Sequence, residues 1–222
     1  MIRASALALW AVVLLRSSVD GRLDLLLRAS FHPLVLIAGL VLLGLALLQG
    51  VLGWRHRELG DRAGQRRDRR TAWITAGLAV LLLALPPVPS FADLAQQRPG
   101  DDSTTDALSF TLPPSQRSLT DWVRLLRSQP DPALFNGDPV RISGFVLPVP
   151  GEAPRLARLL VRCCLADATP VGLPVRWPAS APPPRADQWL AIEGQMAMEG
   201  QELVVVPRQI RVIPRPARPL EP

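Results

Sequence analysis

The chain has 222 residues and a formal net charge of +6, and all 25 of its basic residues are Arg. Hydrophobic residues make up 48% of the sequence, which excludes a disordered chain, and two Cys are too few for a disulfide-dense scaffold. A pI near 11.1 ordinarily indicates nucleic-acid binding, so the position of the charge decides its meaning.

The charge is divided unevenly along the chain. Residues 1–89 carry 11 Arg against 5 acidic residues, whereas residues 90–222 carry 14 of each. Proline divides the opposite way, since 23 of the 24 lie at or after Pro86. We therefore place a domain boundary near residue 90.

Apolar segments in the first part predict two to three transmembrane helices. No charged residue falls within 33–54, and about 20 apolar residues cross the bilayer core as a helix. A second uncharged segment predicts a span over about 72–88. The segment at about 2–20 has a short apolar core that also suits a signal peptide, and we favour a span there.

The segment between the two longer spans predicts the orientation. Residues 55–70 hold seven Arg against three acidic residues. By the positive-inside rule this loop is cytoplasmic, and the chain after residue 90 is extracytoplasmic. We expect a multi-pass protein of the cell inner (plasma) membrane, and we interpret the charge as a topology signal, with no nucleic-acid partner.

Residues 90–117 predict a linker, and residues 118–222 predict a small β domain with one leading helix. Ser118 and Asp121 form a capping pattern ahead of the apolar face of that helix, and Pro130 ends it. The apolar spacing then changes to alternation, which is typical of strands. The five predicted strands are Val140–Leu147, Leu156–Cys163, Val171–Trp177, Gln188–Gln195 and Glu202–Ile213.

Five short strands with Gly at bends predict a five-stranded barrel of the oligonucleotide/oligosaccharide-binding (OB) type, with a five-stranded sandwich as the alternative. Because proline has no N–H to donate to a sheet, we expect Pro174 and Pro207 to lie at a sheet edge or a bulge. Gly144, inside the first predicted strand, indicates a bulge or a bend. The predicted fold class is α+β: two to three N-terminal transmembrane helices followed by a small extracytoplasmic OB-like β-barrel domain.

The adjacent Cys163 and Cys164 are the one group with evident chemistry. Neighbouring residues on a strand point to opposite faces, so we expect one thiol in the core and one exposed. The pair could form a strained vicinal disulfide, and Arg158 and Arg162 could lower a thiol pKa. A tetrahedral zinc site would need further ligands from Asp167, waters or another chain. Structural packing of two small residues is the remaining interpretation.

No Ser–His–Asp set, phosphate loop or pair of carboxylates is discernible, so we expect neither an enzyme nor a cofactor. Asp167 and Asp187 are single carboxylates at predicted loops, where they more often form turns than act as acids.

Residues 158–172, RLLVRCCLADATPVG, resemble the double-Cys signature of the YcgQ-like membrane family, a domain of unknown function with a C-C-x-A-D-A motif. Residues 85–90, 144–146 and 187–194 are similar to further segments of that family. Leu159 departs from it, since many members have an aromatic residue there, and so does the proline-rich insert at 178–187.

The resemblance implies a permease subunit that pairs with a separately encoded multi-span protein. We therefore expect a non-enzymatic membrane accessory subunit whose β domain contacts the partner or a small-molecule or ion cargo. The contact candidates are Arg158, Cys163, Cys164 and Asp167, of which the last three are also metal-ligand candidates. The alternative is an extracytoplasmic thiol-redox or metal-handling membrane protein that uses the Cys pair.

Overall fold

The computed structural model describes residues 2–55, 62–85, 89–97, 112–129, 131–179 and 183–221. The chain forms two compact units, Met1–Val88 and Pro89–Pro222. The first unit is helical, and the second contains the sheet.

The described part of the first unit consists of three α-helices and a connector made of two short 3-10 turns. The helices are α1 (Ile2–Val19), α2 (His32–Arg55) and α3 (Arg62–Ala84). Helix α1 packs against both others, and small residues allow the close approach, since Ala11 and Ala79 are fully buried. Helix α3 begins at Arg62, so the predicted 55–70 loop is helical from that residue; residues 56–61 lie outside the described residues.

Among the described residues one helical segment, Ala29–Leu52, is long and apolar enough to cross a membrane, and 11% of its apolar window is buried. It contains residues 33–52 of the predicted span at 33–54. The apolar helical segments Ala4–Val19 and Arg70–Ala84 are shorter. The predicted spans at 2–20 and 72–88 therefore coincide with apolar helical segments shorter than Ala29–Leu52, and residues 86–88 lie outside the described residues.

In the residues that the structure describes, the second unit has two α-helices outside its sheet. Helix α5 (Leu119–Ser128) begins with the predicted capping box, in which Ser118 and Asp121 each bond the other's backbone N–H. Helix α4 (Phe91–Gln96) lies in the segment that we predicted as a linker. Its six residues are too few to produce a visible apolar period, yet Phe91 is fully buried. Residues 98–111 of the predicted linker lie outside the described residues.

The described strands form one mainly antiparallel sheet of six strands, and not the two sheets of a sandwich. The strands are β1 (Pro139–Leu147), β2 (Arg155–Leu160), β3 (Thr169–Pro174), β4 (Trp189–Glu199), β5 (Glu202–Val212) and β6 (Leu220–Glu221). The order is β3-β2-β1-β4-β5, and β6 pairs in parallel with the end of β2. Sequence alternation missed β6 because two residues carry no period.

Two features of the sheet agree with the expectations for Gly and Pro. The β4–β5 ladder shifts register between Glu193 and Gly194, and Pro207 lies opposite Gly194 at that bulge. At Gly144 an added Cβ would lie 2.5 Å from the Ala157 carbonyl oxygen, so only glycine allows β1 and β2 to approach this closely there.

The sheet has an apolar cluster on each face. In the first cluster, residues of α5 pack against residues of β1 to β5, and Trp122, Ile192 and Val205 are fully buried. The other packs Phe91 of α4 against Phe145 and Trp189, with ring centroids 5.8 and 6.2 Å away. Helix α4 is therefore part of the β unit.

Candidate functional site

The two cysteines lie in a turn and not on a strand. Strand β2 ends at Leu160, and a 3-10 turn over Leu165–Asp167 leads into β3. We call residues 161–168 the cysteine loop. The predicted strand over Leu156–Cys163 is thus three residues too long, because apolar alternation does not show where pairing stops.

The Asp167 carboxylate organises the cysteine loop. Its Oδ1 accepts the N–H of Arg162 at 2.9 Å, and its Oδ2 accepts the N–H groups of Cys163 at 2.8 Å and Cys164 at 3.3 Å. The Asp167 N–H in turn donates to the Cys164 carbonyl at 3.0 Å. Such local carboxylate-to-backbone bonds are what Asp supplies in turns. The loop is therefore held in shape by this chain's own groups.

The same turn brings the two sulfur atoms together. Both cysteines are free and half-buried, and their Sγ atoms lie 3.5 Å apart, within hydrogen-bond distance. The expectation that the two side chains point to opposite faces is wrong, because the strand alternation on which it depends ends at Leu160.

The loop gathers three atoms able to ligate a metal. The Sγ atoms of Cys163 and Cys164 and a carboxylate oxygen of Asp167 lie within 4.8 Å of one another. All three residues were sequence-predicted candidates. They are also half-buried, so solvent reaches the group.

The carboxylate sets the electrostatics of the group. The hydrogen bond to Asp167 is the largest of the effects that raise the pKa of the Cys163 thiol to about 12; the bond to Cys164, burial and the nearby charge add to it. Burial acts to raise the pKa of Asp167, but the bonds from the Cys163 thiol and from the backbone outweigh it, so that pKa lies below its usual value.

The prediction that neighbouring arginines lower a thiol pKa is therefore wrong for Cys163. The Arg158 guanidinium instead donates to the Ser143 carbonyl at 2.8 Å and to the Ser143 hydroxyl at 2.9 Å. It also lies 3.6 Å from the Glu221 carboxylate and 4.9 Å above the Trp189 ring. Burial lowers the pKa of Arg158, and the Glu221 charge opposes that effect.

Arg158 thus joins three parts of the β unit, and its partners named above lie outside the cysteine loop. Its neighbour Glu221 accepts from the Thr120 hydroxyl at 2.8 Å, which ties β6 to the leading helix. The sequence analysis missed Glu221 and Ser143 as partners of Arg158. They lie 63 and 15 residues from Arg158 in the chain, and no local pattern connects them to it. We assign Arg158 to packing of the fold.

A groove of about 530 Å³ lies elsewhere on the β unit, beside β1, β4 and β5. Its Arg141 lies 3.4 Å from Glu193, and the nearby Arg211 is also 3.4 Å from that carboxylate. Two arginines share one carboxylate there, and the residues that line the groove include no Cys or His. We therefore take the cysteine loop and not this groove as the candidate site.

The comparisons with known proteins agree with the division of the chain. Residues 115–214 match the DUF1980 C-terminal domain. The matched range lies within the second unit and includes the whole cysteine loop. No curated protein and no solved structure matched the chain.

Proposed function

We propose that this protein, whose residues 115–214 match the DUF1980 C-terminal domain, is a non-enzymatic membrane accessory subunit of a two-component permease. Its β domain lies outside the cytoplasm and contacts a multi-span partner or its cargo through the cysteine loop. The similarity of residues 158–172 to the YcgQ-like signature supports this assignment.

The observation that carries the proposal is the exposed apolar surface of α2. Ten of its large apolar side chains are exposed: Leu34, Leu36, Ile37, Leu40, Val41, Leu45, Leu47, Leu48, Val51 and Leu52. A soluble monomer rarely exposes a contiguous apolar patch of this kind, whereas lipid or a partner helix would cover it. The Arg-rich segment at 55–70 supports an orientation in which that segment is cytoplasmic and the β domain lies outside the cytoplasm.

We further propose that the sheet curves into an OB-like barrel. Strand order β3-β2-β1-β4-β5 leaves β3 and β5 as the ends, and a parallel bridge joins Val175 to Val205. The Arg176 N–H also donates to the Val205 carbonyl at 2.9 Å. Closure of this kind protects both sheet edges.

Purification of the tagged full chain from membranes in a gentle detergent tests this function. We expect a multi-span protein to co-purify in a fixed ratio and to be absent when an unrelated membrane protein carries the same tag. Recovery of the chain as a single species without such a partner would contradict the accessory role.

A second candidate function is thiol redox exchange, favoured by the 3.5 Å separation of the sulfur atoms. Oxidation would join Cys163 to Cys164 and pass two electrons and two protons to a partner disulfide. The raised pKa of Cys163 disfavours the thiolate that such exchange requires. A two-dalton mass decrease of the purified protein, reversed by reductant, would support this candidate; two free thiols throughout would exclude it.

A further inference from the structure

We propose that Cys163, Cys164 and Asp167 bind one thiophilic divalent cation of the Zn²⁺ class in an exchangeable three-ligand site. This inference rests on the proposed function and deepens it, since it names the class of cargo that the β domain receives.

The donor atoms select the class of cation. Two sulfurs and one carboxylate oxygen suit Zn²⁺, whereas Mg²⁺ and Ca²⁺ take oxygen ligands. An iron–sulfur cluster generally needs four cysteines, and the whole chain has two. The combination therefore favours a borderline-soft divalent ion.

The separations suit tetrahedral coordination. Two sulfurs bound at the usual Zn–S length lie about 3.8 Å apart, and a bound sulfur and oxygen lie about 3.6 Å apart. The two Sγ atoms are already 3.5 Å apart, and no pair in the group exceeds 4.8 Å. Side-chain movements of about 1 Å would bring the ligand atoms to these separations.

The Asp167 carboxylate retains room for a cation. A carboxylate offers about four acceptor positions, and three of them accept the N–H groups of Arg162, Cys163 and Cys164. The Cys163 thiol bonds the remaining position in the metal-free protein, and loss of that thiol proton on metal binding would free the position for the ion. The backbone bonds also fix the orientation of the carboxylate, as groups behind a metal ligand commonly do.

The site differs from a structural zinc site in two respects. In the cysteine loop the chain itself supplies bonds that fix the backbone, since the Asp167 carboxylate accepts the N–H groups of Arg162 and Cys163. Three protein ligands also leave the fourth position open, as in sites where water or a substrate binds. An open position on a solvent-accessible loop permits a ligand from another protein to take over the ion.

Cobalt titration of the reduced, metal-free full chain in detergent tests the site directly. We expect one Co²⁺ per chain with thiolate-to-cobalt absorption and tetrahedral visible bands, all displaced by Zn²⁺. Cys163→Ser and Cys164→Ser should each weaken binding at least about tenfold and reduce the thiolate absorption. Full thiolate absorption in either variant, or none in the wild-type protein, would overturn the proposal.

Two carboxylate variants complete the test. Asp167→Asn should weaken Co²⁺ binding at least about tenfold. Asp131→Asn is the matched control, because Asp131 also accepts a loop N–H, that of Ala133 at 3.0 Å, but has no part in the thiol group. Unchanged binding in Asp167→Asn, or equal loss in both variants, would exclude the three-ligand site.

The result is separable from that of the purification experiment. Metal binding without a co-purifying permease would contradict the accessory role and leave the site intact. A co-purifying permease without metal binding would contradict the site alone.

Discussion

At the scale of single residues, Asp167 has the largest influence on the chemistry of the protein. It accepts three backbone N–H groups, and its hydrogen bond to the Cys163 thiol, together with its charge, opposes ionisation of that thiol. A cation would reverse the last effect, since its charge stabilises the thiolates that the carboxylate destabilises. One side chain therefore shapes the loop and selects for a positive ligand.

The reactivity of Cys163 should depend on the Asp167 charge. In a Cys164→Ser background, Asp167→Asn should lower the pKa of the Cys163 thiol and speed its alkylation by iodoacetamide about tenfold or more near pH 8. The rate is read by mass spectrometry on chelator-treated protein. Asp131→Asn in the same background should leave the rate unchanged, and an equal rate in all three proteins would contradict the argument.

Zinc affinity should increase with pH. The raised pKa of about 12 means that Cys163 keeps its proton in the metal-free protein at neutral pH, so Zn²⁺ must displace it. Each proton released increases the apparent association constant about tenfold per pH unit. Competition with a chromophoric chelator between about pH 6 and 8 measures the slope, and a flat profile would be inconsistent with thiolate ligation.

At the scale of elements, α4 shows how tertiary contacts stabilise a helix that local propensity leaves marginal. Six residues are too short to be stable alone. Ser90 caps the helix, Phe91 packs in the aromatic cluster, and the Asp187 carboxylate accepts the Ala92 N–H at 2.7 Å. Asp187 itself adopts a positive φ of 60°, which Asp and Asn tolerate better than most residues.

Replacement of Asp187 should separate these two roles. Asp187→Ala removes the acceptor and retains the positive φ, so we expect the β unit to lose about 1–3 kcal/mol of stability. Asp187→Asn keeps an oxygen acceptor and tolerates the φ, and should be close to wild type. Thermal unfolding in detergent compares the variants; equal melting temperatures for Ala and Asn would contradict the assignment.

The glycines of the sheet should differ in their tolerance of a methyl group. An added Cβ at Gly194 would collide with the Val206 carbonyl oxygen. At Gly144 the added Cβ would lie 2.5 Å from the Ala157 carbonyl oxygen. At Gly172 it would lie 3.1 Å from the Leu156 carbonyl oxygen, which is a looser contact. Gly144→Ala and Gly194→Ala should each cost about 1–3 kcal/mol, and Gly172→Ala less. A larger loss of thermal stability for Gly172→Ala would show that strand proximity is not the cause.

At the scale of the whole molecule, the two units divide the physical tasks. The helical unit carries the net charge and the exposed apolar surface of α2, while the β unit has equal numbers of acidic and basic residues and carries the cysteine loop. In the proposed topology the Arg-rich segment is retained in the cytoplasm and the loop is presented outside.

Site-directed labelling should test that topology. In a background of Cys163→Ser and Cys164→Ser, we introduce Asp131→Cys in the β unit and Gly64→Cys in the Arg-rich segment. A membrane-impermeant maleimide should label the first variant in intact spheroplasts and the second only after permeabilisation, because the bilayer separates the two sites. Labelling of both, or of Gly64→Cys alone, would contradict the proposed orientation.

Much of the fold could be predicted because it depends on short-range pattern. The capping box at Ser118 and Asp121, the five longer strands and the bulge opposite Pro207 each follow from residues close together in the chain. Helix α4 and strand β6 could not be predicted, since six and two residues have no readable period and depend on distant partners. The residues of the candidate metal site could be predicted, but their arrangement could not.

The sequence by itself determined the composition of the two parts, the apolar length of α2, and which residues of the β domain carry chemistry, because charge, hydropathy and donor type belong to the residues themselves. Only the tertiary structure decided that both thiols face one carboxylate and that Arg158 serves the core. Those outcomes depend on where β2 stops pairing and on Ser143 and Glu221, which folding brings to Arg158 from other parts of the chain.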